Sequence, residues 1–402
     1  MSERTLSPEQ VEFREHCRRW LAANRPEPPS FRLPLTPIEV MTEEQMRYLR
    51  AWQKRCYEAG LIGCDYPREY GGGGHSGFQQ IASQEIGRAS VPYMVNVIGL
   101  SMAAPTILNH GTEEQKRSFL GPLFAADEIW CQGFSEPNAG SDLASVQASA
   151  VRDGDNWIMN GHKVWTSLAH FASWMITLCR TSNEHKHLGL TYFIVPVAHT
   201  KGVTVRPLIK MTGETGFNEV LLEDVVVPDT MRVDEVGKGW TVAMTTLLYE
   251  RGAAEGAGSA GGVSLDERMQ SLIALARRMK RGGKPAWEGP LIRDRLMQLA
   301  IRIEGMRHMF RLTRVEALTE HPLRIPLQAK VAVSELMQDM AAVALEIEGP
   351  HAGLYVGDTH APDDGQWPLA FLNSYGFTIA AGSNEIQRNI LGERVLGLAK
   401  SK

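Results

Sequence analysis

Three observations predict a three-part α and β architecture: an N-terminal helical domain (residues 1–128), a middle antiparallel β-barrel-like domain (129–238) and a C-terminal four-helix-bundle domain (239–402). Helix-start signals open the first third, short β-branched and aromatic runs fill the middle, and long apolar-periodic segments return after Gly239. The strand–helix alternation of a Rossmann unit is missing, and no internal repeat is visible. A helical bundle closing on a β domain leaves a crevice of the kind that holds a cofactor.

In the first third, Ser7-Pro8-Glu9-Gln10 combines a capping hydroxyl, a proline at the first helical position and a glutamine that can return a hydrogen bond to the cap. Phe13, Cys17, Trp20 and Leu21 then share one face. The same start signal recurs at Thr42 to Gln45 and at Thr112 to Gln115, with loop punctuation at Pro26 to Pro37 and Gly71 to Gly74. Strands are expected at Trp174 to Leu178, Thr191 to Val195, Val203 to Val205 and Glu219 to Val227, separated by Gly, Pro, Asn and Asp. Helices are expected near 241–280, 290–319, 326–348 and 384–397.

Composition narrows the class. The chain has 402 residues, 43% hydrophobic and 22% charged, with a formal net charge of −4, which is not the make-up of a disordered or nucleic-acid-coating protein. Five cysteines with no Cys-x-x-Cys spacing argue against a disulfide framework and a structural zinc site. Histidine spacing suggests no metal. No run approaches the roughly 18 apolar residues of a membrane span. The polar start MSERTLSPEQ carries no export or import address, so no membrane and a cytoplasmic location are expected.

Two segments suit cofactor chemistry. Gly133-Phe134-Ser135-Glu136-Pro137-Asn138-Ala139-Gly140-Ser141-Asp142 is a turn-rich loop that presents hydroxyls and backbone N–H groups to a heteroaromatic ring or a phosphate; read alone, it is equally a polar β-turn. Asn160 to Ser167 places Trp165 beside Thr166 and Ser167 on a strand. There the indole can stack on a flat cofactor or simply fill a core.

These segments, with Tyr66 to Gly72, Glu223 to Pro228, Gly237 to Trp240 and Asn384 to Arg388, stand in the order and spacing of the acyl-CoA dehydrogenase family, which the chain resembles from about residue 7 to 398. The resemblance implies FAD, an acyl-CoA substrate and an electron-transfer flavoprotein as acceptor. It implies that Gln132, Phe134 and Ser135 hold the flavin pyrimidine edge, that Ser141 touches both the flavin phosphate side and the acyl-CoA, and that Trp165 packs on the isoalloxazine. It further implies that Ser167 bonds flavin N5 and that Ser383 and Glu385 contact the FAD of a neighbouring subunit.

Many family members carry the catalytic base where this chain has Ala381, and alanine accepts no proton. Others take it from a helix after the β domain, immediately before an arginine, and Glu250-Arg251 matches that pair. The resemblance thus implies Glu250 as the base, Arg251 holding either Glu250 or the CoA side of the substrate, and the backbone N–H of Ala381 beside the developing enolate oxygen. The small residues Gly252, Ala253, Ala254, Gly256, Ala257 and Gly258 suggest room for a branched, cyclic or steroid-like acyl group, or close helix packing.

The chain departs from the family at Arg281-Gly282-Gly283-Lys284-Pro285, where an aromatic is replaced by glycine, and at Pro290, Glu346 and Pro350. Such erosion accompanies heteromers, so the expected assembly is a homo-oligomer (dimer or tetramer) or a heterotetramer with a paralogous subunit. Residues 268–314 hold twelve Lys or Arg against three Asp or Glu; phosphate contact, a subunit interface or solvated surface would each explain them better than nucleic acid. The competing functions are a flavin monooxygenase or other repurposed enzyme on this fold, and a flavin-poor structural subunit.

Overall fold

The computed structural model describes residues 6–253, 265–312, 315, 321 and 323–400, with the side chains of 251–253 excluded. It divides into two compact units, Met1–Gly262 and Val263–Lys402.

The first unit begins with α1 (Pro8–Asn24), α2 (Glu43–Glu58), α3 (Phe78–Arg88), α4 (Ala104–His110) and α5 (Glu113–Phe124). Ser7, Thr42 and Thr112 each form a complete capping box with Gln10, Gln45 and Gln115, as the local spacing predicts. Each box satisfies two of the N–H groups that a helix start leaves open. Cys17, Leu21, Trp52, Cys56, Leu61, Leu120, Leu123 and Trp130 are buried in one core cluster. All five cysteines are buried free thiols, and burial pushes Cys17 up to about 11 and Cys56 up to about 12.

The β layer follows: β1 (Trp130–Gly133), β2 (Ser149–Asp153), β3 (Asn156–Ser167), β4 (Trp174–Arg180), β5 (Leu190–Pro196), β6 (Val203–Pro207), β7 (Phe217–Pro228) and β8 (Arg232–Val233). The sheet runs β6-β7-β3-β2-β4-β5-β8, with β1 beside β4. Neighbours are antiparallel except β1 with β4 and the single β2–β4 pair. α6 (Gly239–Ala253) completes the described part of this unit.

The second unit contains α7 (Leu265–Arg278), a hairpin of β9 (Lys280–Arg281) and β10 (Lys284–Pro285), α8 (Pro290–Arg311), α9 (Arg324–Glu348), α10 (Gln366–Ile379) and α11 (Asn384–Ile390). Leu272, Leu275, Leu296, Leu299, Leu336, Met340 and Ala344 form its core with Trp367. Of the helical pattern near 241–280, α6 and α7 cover Gly239–Ala253 and Leu265–Arg278, and 254–264 lie outside the described residues. Gly282 and Gly283, at φ of +58° and +81°, form the two-residue hairpin turn, which needs positive φ at both positions. A hairpin therefore stands where the resemblance leads one to expect an aromatic.

Four cations of the basic stretch meet carboxylates: Arg278 with Asp363 at 2.5 Å, Arg295 with Glu346 at 2.6 Å, Arg302 with Asp339, and Arg307 with Asp266 and Glu304. Those four are engaged within the chain, a plainer role than holding phosphates.

Candidate active site

β1 delivers the chain into the 133–142 loop. At Gly133 a Cβ would come within 2.3 Å of Met175 Sδ, so a side chain there would force the buried Met175 side chain to move. The Thr177 hydroxyl donates to Gly133 O. Phe134 is buried, with its ring edge-on to Tyr192 at 5.8 Å. The carbonyl of Ser135 accepts from Val164 N–H at 2.9 Å, which seats the loop on β3. Glu136 and Ala139 exchange backbone hydrogen bonds across the turn.

β3 carries the second segment and is interrupted there by an irregularity. Trp157, Met159 and Lys163 follow the inward phase of the strand. Between Lys163↔Val220 and Thr166↔Asn218 the strand gains one residue, a β-bulge. Trp165 sits in it at φ +59° and is turned outward, 59% exposed, with Phe217 edge-on at 6.0 Å. A tryptophan in that backbone region costs about 1–3 kcal/mol, strain of the sort that collects at functional sites. Thr166 and Ser167 are buried behind it, and Thr166 Oγ1 is a buried hydroxyl with no hydrogen-bond partner among the described residues.

Asn218 steadies this strand end. Its amide donates to Thr166 O at 3.1 Å and meets His170 Nδ1 at 3.0 Å, while His170 Nε2 lies 3.1 Å from Val40 O. With Nε2 donating and Nδ1 accepting, the imidazole is neutral. Burial holds its pKa below the usual value, against the two hydrogen bonds.

The helix bearing Glu250 is pinned from two sides. Thr246, one turn before Glu250 on the same face of α6, is buried between Thr106 Oγ1 at 2.8 Å and Tyr192 Oη at 3.0 Å. Thr245 bonds His110 Nε2 at 2.8 Å, and His110 Nδ1 meets Asp234 at 3.1 Å. Tyr192 thus touches both the loop, through Phe134, and the Glu250 helix, through Thr246. Glu250 itself is half-buried. Arg251, Gly252 and Ala253 complete α6, but their side chains lie outside the described set, and Ala254, Gly256, Ala257 and Gly258 lie outside the described residues altogether.

Ala381, Ser383 and Glu385 share one turn of the second unit. Ala381 has φ +56°, and its carbonyl accepts from Gln387 Nε2 at 2.5 Å. Ser383 Oγ caps α11 by accepting from Ile386 N–H at 3.4 Å. Glu385 is exposed, its carboxyl held low by its own backbone amide and by Ser383.

The first-unit face fits a flat heteroaromatic group with a polar edge. Among the described residues the side chains of Gln132, Ser135, Ser141 and Ser167 make no hydrogen bond, and Thr166 Oγ1 is orphaned beside an outward indole. Such hydroxyls and amides are what a flavin ring would engage.

Two members of this site carry no recognisable signal of their own. Lys163 is fully buried and its ammonium lies 2.8 Å from Glu136 Oε1, inside the two segments but without an evident role in either. The strand phase through Trp157 and Met159 points Lys163 inward and so demands an acid; which acid is not readable locally.

The first unit thus carries a β sheet with an outward Trp165 beside hydroxyls that have no hydrogen-bond partner among the described residues. Family models described as the N-terminal, middle and C-terminal domains of acyl-CoA dehydrogenase match residues 7–127, 131–225 and 237–396. The acyl-CoA dehydrogenase IpdE1 of Mycobacterium tuberculosis is 38% identical over 353 residues, covering 87% of this chain and 88% of that one. Acyl-CoA dehydrogenase FadE34 of the same organism is 36% identical over 350 residues, 85% of this chain and 45% of its own length. Among solved structures, the ChsE4–ChsE5 complex from M. tuberculosis superposes with a TM-score of 0.79 at 28% identity, covering 100% of both chains. The Tcur3481–Tcur3483 steroid acyl-CoA dehydrogenase gives 0.80 at 26% identity, again over 100% of both. The chain belongs to the acyl-CoA dehydrogenase family, flavin-dependent oxidoreductases acting on CH–CH bonds.

Proposed function

We propose that this chain binds FAD against Trp165 and the 133–142 loop and desaturates the α,β bond of an acyl-CoA whose acyl group is steroid-like. In this reading Gln132, Phe134 and Ser135 meet the pyrimidine edge of the ring, Ser167 its N5, and Ser141 the phosphate side and the acyl-CoA. Bound flavin supplies the acceptor for the β-hydride. Glu250 takes the α-proton, its carboxylate losing water when the substrate closes over it. Ala381 presents only a methyl group, which leaves the proton transfer to Glu250. The single observation that carries the reading is the outward Trp165, held at φ +59° beside hydroxyls that have no hydrogen-bond partner among the described residues.

The steroid-like acyl group is supported by the steroid acyl-CoA dehydrogenase among the structural neighbours. Two neighbours are two-component assemblies. Here the glycine hairpin and the Glu346–Arg295 pair occupy positions that the family pattern gives to the adenine end of FAD. We therefore propose a heteromer with a paralogous subunit, where Ser383 and Glu385 face a neighbouring flavin, and assign the electrons to an electron-transfer flavoprotein.

The test is anaerobic titration of purified protein, alone and with a co-expressed paralogue, with steroid-derived and straight-chain acyl-CoAs while flavin absorbance is followed. Wild type is expected to bleach, and Glu250→Gln to bind the same thioester but reduce about 10²–10⁴-fold more slowly. Equal reduction rates would remove Glu250 from the base role.

A further inference from the structure

We infer that the buried Lys163–Glu136 ion pair is a positioning device that presets the flavin-facing loop against Trp165 before any cofactor arrives. The inference rests on the flavin reading of Phe134, Ser135 and Trp165 given above.

Lys163 is 0% exposed and Glu136 9%. Removing both charges from water is expensive, and such pairs persist where every remaining donor and acceptor is satisfied. That condition is met. The Lys163 ammonium donates to Glu136 Oε1 at 2.8 Å, to Leu178 O on β4 at 2.8 Å and to Phe134 O at 3.4 Å. Glu136 in turn accepts from Gln147 N–H at 2.7 Å and Ala148 N–H at 2.9 Å, one bond to each carboxylate oxygen.

These partners lie at both ends of the segment 134–148. Phe134 and Glu136 are at its start; Gln147 and Ala148 are at its end, just before β2. The pair therefore closes the loop as a clasp and ties it to β3 and β4 through one ammonium. Arg180 of β4 adds a second hold, donating to Ala144 O at 2.7 Å and Val146 O at 3.0 Å. Charge-assisted bonds are about twice as strong as neutral ones, and here they go to backbone groups. Among the described residues the hydroxyls of Ser135 and Ser141 make no hydrogen bond, which leaves them available to a ligand.

Lys163 also stands at the entrance to the β3 bulge, two residues before Trp165. The same side chain thus sets the distance between the loop carbonyl at Phe134 and the strand position from which the indole turns outward. An apolar residue would fill the space at less desolvation cost, but would hold neither carbonyl. Neither Lys163 nor Glu136 touches the ring; both act through the backbone that does.

The experiment compares wild type, Lys163→Met, Glu136→Gln and the double variant as apo proteins. Amide hydrogen exchange reads the loop, and titration with FAD reads affinity by flavin fluorescence. Glu136→Gln is expected to speed exchange at Gln147, Ala148 and Val164 at least tenfold while Ile194 of β5 stays protected, and to weaken FAD binding at least tenfold. The double variant, which leaves no lone buried charge, is expected to regain thermal stability relative to Lys163→Met without regaining FAD affinity. Should Lys163→Met not fold, Glu136→Gln and the double variant carry the comparison. Wild-type affinity in the variants, or protection lost evenly across the sheet, overturns the inference alone. Failure of wild type to bind FAD both alone and with the co-expressed paralogue overturns the proposed function and, with it, the purpose assigned to the pair.

Discussion

Two buried carboxylates, one in each unit, have opposite fates. Glu136 accepts two backbone N–H groups and a lysine ammonium. Glu348, at the end of α9, is 2% exposed and among the described residues neither of its oxygens has a hydrogen-bond partner. Burial pushes it up to about 7, Asp363 adds to the rise, and Arg278, engaged at 2.5 Å with Asp363, opposes it only in part. The first carboxylate is stabilised as a charge and holds a loop in place. The second holds its proton further up the pH scale, to about 7. Satisfied charge imposes geometry on the backbone around it; unsatisfied charge imposes only a pH dependence.

The largest expected effect comes from breaking the satisfied pair. Lys163→Met strands Glu136 and should cost about 3–5 kcal/mol by chemical denaturation at neutral pH. A cost near zero would mean that Glu136 already finds water.

Next is Glu348→Gln. Between about 4.5 and about 7 the folded protein holds a proton that the unfolded chain has released, so wild-type stability falls as pH rises through that window. The substituted amide has no such proton to lose, and the variant should be more stable than wild type by about 1–3 kcal/mol at pH 8 and close to it near pH 4.5. A difference independent of pH would show that Glu348 ionises normally.

The smallest effect has the reverse sign and belongs to the first unit. His170 has a folded pKa below its usual value of 6.5, so the unfolded chain binds the proton first and stability is lost as pH falls below about 6.5. Unfolding of His170→Gln should lack that acid-side decline. If both proteins lose stability alike, another group carries it.

Much of this was legible. The three capping boxes, the strands of the β layer and the candidates around Ser135 and Trp165 all rest on short-range patterns. How far helix runs within the 241–280 pattern was not legible, because periodicity alone does not mark an end point; α6 and α7 cover Gly239–Ala253 and Leu265–Arg278 of it, and 254–264 lie outside the described residues. Nor was the use made of the basic stretch: Arg278, Arg295, Arg302 and Arg307 pair with carboxylates that are mostly far away in sequence, and helix patterning says nothing of that.

By itself the sequence determined what depends on neighbours a few residues apart: a cap hydroxyl and the glutamine three positions on, a run of alternating side chains, and a methyl at 381 that takes no proton. Tertiary structure alone decided which way Trp165 faces. Strand alternation would carry it inward with Lys163, and the one-residue bulge opposite β7 reverses the phase. It also decided that Lys163 would find Glu136, 27 positions away. A buried ammonium requires an anion, but which anion reaches it is settled only when the sheet has brought loop, β3 and β4 together.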